Sequence, residues 1–160
     1  DDVAKTVGIG AVKYADLSTE RTKDYVFDWE RMLSFDGNTA PYLQYAYARI
    51  CSIFRKWGGS RETLASAGLI LSQPEELTLS RRLADFPSAL DESISTFSPH
   101  KLCTHLHSVA SSFASFYENC NVLKGEGEDV IRSRLALCDL TARELKLGLG
   151  LMGIGVPERM

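Results

Sequence analysis

The stretch FDGNTAPYLQYAYARI, Phe35 to Ile50, places Tyr42, Tyr45, Tyr47 and Arg49 within a few residues of one another. From Gly37 to Arg61 there is no Asp or Glu, while Arg49, Arg55, Lys56 and Arg61 are all cationic. On a helix turning about 100° per residue, taking Tyr42 as zero, Tyr45 lies near about −60°, Arg49 near about −20° and Lys56 near about −40°. Those four share a face. Leu43, Tyr47, Ile50 and Phe54 fall on another, between roughly 80° and 140°, and can enter a core. Arg55 sits well off the first face. Two rings, a guanidinium and an ammonium side by side can do one of two things. They can hold single-stranded RNA, whose bases stack on rings or on a guanidinium plane while cations neutralise phosphate. Or the tyrosines can line a domain interface, with Arg49 paired to a carboxylate there. The residues by themselves leave both open.

Other chemistry is sparse. His105 and His107 are two apart on a helical pattern and point to nearly opposite sides, so they cannot share a metal. No Cys-His or carboxylate pair forms a catalytic constellation, and we expect no catalytic residue and no metal. The glycines of GIGAVK follow no strand, so they are not a nucleotide fingerprint. Cys51, Cys103, Cys120 and Cys138 form no C-x-x-C pair and lie in or at the ends of apolar helical patterns, which predicts buried free thiols in a reducing compartment. The net charge of −3 argues against nonspecific binding to nucleic acid, DNA included, by the whole surface. No apolar run reaches the roughly 18 residues of a membrane span. The basic zone at 37–61 therefore suits one directed anionic contact on a mildly acidic domain.

The elements that must position these groups are helical nearly throughout, and the 160 residues suffice for one good domain. A first helix is predicted over roughly 3–14, followed by a loop, DLSTERTKD. YVFDW, Tyr25 to Trp29, alternates aromatic and β-branched residues and reads as a short extended piece; WERML reads as a helical turn. Asp36-Gly37 breaks the chain, Asn38 or Thr39 offers an N-cap, and Pro41 falls in the first turn of the tyrosine helix. That helix should run to about Lys56 and stop before Gly58-Gly59. Gln73-Pro74-Glu75-Glu76 opens another, which Pro87 breaks or restarts and which reaches about Phe97. Ser98-Pro99 starts a helix carrying Leu102, Leu106, Val109, Phe113, Phe116 and Tyr117 at spacings of three and four. After the polar loop KGEGED, a last helix aligns Ile131, Leu135, Cys138, Ala142, Leu145 and Leu149. The fold class is all-α, a bundle of five or six helices.

The residues from Val7 to Lys56, with DGNTAPYLQYAYAR at their centre, resemble the C-terminal part of arginyl-tRNA synthetases. The later stretches FASFYENCNVL and RLALCDLTARELKLGLGLMGIGVPERM agree. Together they resemble the family's helical anticodon-binding domain, named DALR after a motif that stands here as CDLT or LALC, not literally. The resemblance implies a fragment of a class I synthetase: residues 1–35 the tail of the catalytic region, 36–160 the anticodon-binding domain. The parent would activate arginine with ATP and Mg²⁺ and transfer it to tRNA(Arg). Neither the HIGH nor the KMSKS-like motif occurs here, so this piece is expected to be inactive alone and to hold no cofactor. The implied partners are the anticodon arm of tRNA(Arg) and the catalytic domain of the same chain, with no DNA and no membrane, in the cytoplasm or an organelle. The implied tRNA-facing residues are Tyr42, Tyr45 and Arg49, then Arg55, the Asn121 to Leu123 stretch with Lys124, and Met160. Some relatives place aromatic residues around CNVLK, where this chain has Cys120 and Lys124, which implies base stacking there that is either weaker or replaced by a charged contact. The alternative is a helical protein-interaction domain packed on a catalytic domain or partner.

Overall fold

A computed structural model describes residues 2–24, 26–125 and 127–160. Among them are six helices of ten residues or more: α1 (Asp2–Ser18), α3 (Ala40–Trp57), α4 (Pro74–Ala84), α5 (Phe86–Ser95), α6 (Pro99–Asn119) and α7 (Glu128–Leu151). Between the first two lies a single turn, α2 (Trp29–Met32), and a 3₁₀ turn spans Arg61–Leu64. No strand occurs among the described residues. The all-α expectation holds.

α3 is the central element and packs against α1, α6 and α7, while α4 and α5 cover the other side of α6. Leu43, Ile50, Leu106, Phe116, Leu135, Leu145 and Leu149 are fully enclosed where these helices meet. Each such side chain stabilises the fold by roughly 1.5–3 kcal/mol relative to exposure. The four cysteines are buried free thiols within this interior.

The ends of α3 explain its placement. Thr39 caps it: its hydroxyl accepts from the Tyr42 N–H at 3.3 Å and donates to the Ser34 carbonyl at 2.6 Å. Gly58 ends it in the left-handed region, φ 74°, with its N–H on the Phe54 carbonyl. Asp85 is the hinge between α4 and α5, and Pro87 sits in the first turn of α5, so the proline restarts the helix as expected.

Two expectations are corrected. α1 runs four residues further than the predicted Tyr14, to Ser18, so the loop after it begins at Thr19. The extended piece at 25–29 ends one residue early: Val26 to Asp28 belong to no regular element, Asp28 has extended backbone at φ −141° and ψ 110°, and Trp29 already opens α2. Tyr25 lies outside the described residues. The piece finds no partner strand among the described residues, and its end is fixed by the Asp28 side chain, which accepts from the Arg31 N–H and caps α2.

Candidate nucleic-acid interface

The four inward residues of α3 do enter the core, with Leu43 and Ile50 at 0%, Tyr47 at 3% and Phe54 at 8% exposure. The opposite face fronts two adjoining clefts of about 410 and 430 Å³, within the roughly 300–1,000 Å³ of ligand sites. Tyr45, Arg49, Ser52 and Arg55 of α3 line the first, together with Tyr117 from the last turn of α6 and Arg159 and Met160 of the C-terminal tail. The second shares Arg49, Ser52 and Tyr117, adds Lys56, and is closed by Asn121, Leu123 and Lys124.

Arg49 stands between the clefts. Its guanidinium carbon lies 4.8 Å from the Tyr45 ring centroid and 5.0 Å from that of Tyr117. It also donates to the Tyr45 hydroxyl at 2.8 Å. Tyr45 is 42% exposed and Tyr117 36%, so both rings present a free side. Phe35 meets Tyr45 edge-on at 6.1 Å and steadies it. No carboxylate lies within salt-bridge distance of Arg49 among the described residues. In a domain interface the carboxylate facing Arg49 would come from the partnering domain, so its guanidinium is available to an anion or an acidic partner alike.

Arg55 sits off this face by angle, and yet it lines the first cleft. The reason is the tail: Arg55 donates to the Glu158 carbonyl at 3.0 Å, and the tail carries it and Met160 to the same place. Tyr42 goes elsewhere. Its ring packs half-buried at 5.6 Å from the His107 ring and lines neither cleft. α6 covers that part of the helix, and burial lowers the His107 pKa. The other histidine of the pair, His105, turns inward to Glu144 at 2.6 Å.

The Asn121–Lys124 turn rests on a buried ion pair. Glu76, fully enclosed, accepts from Arg134 Nε at 2.7 Å, from the N–H groups of Ser72 and Gln73 at 2.8 and 2.9 Å, and from the Ser72 hydroxyl. Burial would raise its pKa; the donors outweigh it and hold the carboxyl below its ordinary value. Arg134 spends its Nη1 on the Asn121 carbonyl at 2.9 Å, and the Asn121 side chain accepts from the Lys124 N–H at 3.1 Å. The turn is thereby fixed with Lys124 exposed at the cleft rim. Sequence reasoning did not single out Tyr117, Ser52 or Arg159. Tyr117 continues the apolar stripe of α6 and reads as core; only its position in the last turn, beside Glu118 and Asn119, marked it as emerging.

Residues 43–160 match the family described as "DALR anticodon binding domain". The chain belongs to that family. Both clefts lie inside the DALR domain, and Tyr42 falls one residue before the matched range. Residues 1–29 match the family "tRNA synthetases class I (R), catalytic domain". The DALR chain is 55% identical to an arginine–tRNA ligase of Cellvibrio japonicus, covering 99% of this chain and 28% of that protein. It is 51% identical to one of Salmonella typhimurium, covering 100% and 28%. Among solved structures it resembles the arginyl-tRNA synthetases of Plasmodium falciparum (TM-score 0.89, 34% identity, 99% of this chain and 28% of that one) and Thermus thermophilus (TM-score 0.89, 34% identity, 99% and 27%). The chain thus spans less than a third of the length of these relatives. No helix is long and apolar enough to cross a membrane, and no cluster of metal-ligating side chains occurs, both among the described residues.

Proposed function

We propose that this chain is the anticodon-binding part of an arginine–tRNA ligase and that the paired clefts hold the anticodon loop of tRNA(Arg). The observation that carries the reading is Arg49 set between two half-exposed tyrosine rings, with Arg55, Lys56, Lys124 and Arg159 around it. Splayed bases stack on Tyr45 and Tyr117, Arg49 stacks or meets phosphate, and the rim cations neutralise the backbone. Met160 supplies an apolar wall to the first cleft. The amide of Asn121 and the backbone of Leu123 offer hydrogen bonds in the second, with Lys124 as a charged contact. Residues 1–35 form the end of the catalytic region and 36–160 the anticodon module. The longer protein uses ATP with Mg²⁺ to attach arginine in cytoplasmic translation; the piece alone is inactive.

A gel-shift titration with an anticodon stem-loop tests this. Binding that weakens as salt rises is expected. A flat salt response, or no binding, contradicts the reading. The alternative makes the tyrosine face itself an interface core; a separate observation favours a protein contact on another face. Val26, Phe27, Trp29 and Leu33 are exposed together, next to Asp28 and Glu30. With Arg31 exposed in the same turn the charges nearly balance, and the apolar side chains suit a protein contact better than RNA. We assign it to the catalytic domain, and Phe27→Ser should weaken that association while leaving stem-loop affinity intact.

A further inference from the structure

The tail that brings Arg159 and Met160 to the first cleft has no helix or strand of its own after Leu151, and it is held by side chains far away in sequence. Lys13 of α1 donates to the Gly153 carbonyl at 2.8 Å. Gln44 of α3, fully buried, donates through Nε2 to the Gly155 carbonyl at 2.8 Å and to the Thr6 carbonyl of α1 at 3.4 Å. Arg55 takes the Glu158 carbonyl. Ile154 plugs into the core at 3% exposure between the first two of these bonds.

The fit is close on both sides. A Cβ on Gly10 would lie 2.9 Å from Gln44 Nε2 and 3.1 Å from Ile154 Cγ2; a Cβ on Gly155 would lie 3.2 Å from Thr6 Cγ2. The Gln44 Oε1 has no hydrogen-bond partner among the described residues. Its amide is therefore oriented entirely by what Nε2 serves, and a flipped amide would set an oxygen against two carbonyls.

We infer that Gln44 and Lys13 are positioning residues of the RNA site: they clamp the tail onto α1 so that Arg159 and Met160 stand opposite Tyr45 and Tyr117. The inference rests on the RNA reading for its purpose, and on the clamp geometry for its mechanism. It makes α1, the segment matching the catalytic family, a structural part of the anticodon pocket.

The test has two readouts on the full chain. The first needs no RNA. With ¹³C-methyl methionine, the Met160 methyl should be ordered in the wild type and become mobile in Gln44→Leu and Lys13→Ala, while the Met152 methyl stays ordered; an unchanged Met160 methyl overturns the clamp. Lys13 is exposed, so its variant folds even if Gln44→Leu does not. The second is a double-mutant cycle on stem-loop affinity. Gln44→Leu, and a chain ending at Glu158, should each weaken binding about tenfold, the scale of one lost hydrogen bond or packed contact. The two combined should be no worse than the truncation alone. Additive losses mean that Gln44 acts only on overall stability and overturn the inference. Truncation without effect overturns it as well, with the RNA reading intact. A wild type that binds no stem-loop removes the RNA reading, and a mobile Met160 in the variants would then still establish the clamp.

Discussion

The two clefts share Arg49, Ser52 and Tyr117, but they are built on different foundations. The tail-side cleft is walled by aromatic rings and a segment held through its own backbone carbonyls. The turn-side cleft stands on a charged pair, Glu76 with Arg134, enclosed beneath it. Each foundation supplies a different kind of energy. Rings and a guanidinium supply stacking that tolerates any base. A turn pinned through Asn121 supplies fixed hydrogen-bonding groups, which is what discrimination between bases requires. The first should govern affinity, the second fold stability and selectivity.

The largest effect should come from breaking the foundation of the turn. Arg134→Met leaves Glu76 a buried charge without its cation, held only by the Ser72 and Gln73 donors, and frees the Asn121 carbonyl, so stability should fall by about 3–5 kcal/mol in urea unfolding. A loss under about 1 kcal/mol would mean that the turn is held by something else. Tyr117→Ala acts on the shared ring: stem-loop affinity should drop by roughly 1–3 kcal/mol, the range for one base stack. Because Tyr117 is 36% exposed, unfolding should change far less than for Arg134→Met.

A pH titration sharpens the contrast between two buried glutamates. Glu76 has its folded pKa below the ordinary 4.5, so its contribution is complete above that pH and is lost as pH falls through the depressed value. Glu144 is shifted the other way, raised by burial, with His105 its one side-chain partner among the described residues. Its ionised form is the penalised one, so its effect on stability declines as pH rises from 4.5 upward. Acid unfolding should therefore be blunted in Glu76→Gln and not in Glu144→Gln. The smallest effect concerns the rim. Lys124→Ala should weaken stem-loop binding slightly and reduce the salt slope by about 0.7, one phosphate contact on a single strand.

Much of this was legible in the sequence because it follows from local rules. The helix period sorted α3 into Leu43, Tyr47, Ile50 and Phe54 inward against Tyr45, Arg49 and Lys56 outward, and the caps at Thr39 and Gly58 set its ends. What failed to show was tertiary. Nothing local says that His107 of α6 covers Tyr42, or that the tail turns back across α3 and brings Arg55 into the cleft. Tyr117 looked like core because its spacing is that of core; its exposure depends on where α6 ends relative to α3. The extended piece before α2 stays unpaired for the same reason, since alternation builds a strand only where a partner exists.

Everything proposed for the clefts requires Tyr45 and Arg49 to form an RNA-binding surface. A stem-loop titration of Tyr45→Ala with Arg49→Ala against the wild type tests it most directly. Affinity should fall by about 2–4 kcal/mol, one stack and one charged contact, with unfolding shifted little. Unchanged affinity in the double variant, with the wild type still binding, would place the RNA elsewhere on the molecule and contradict it.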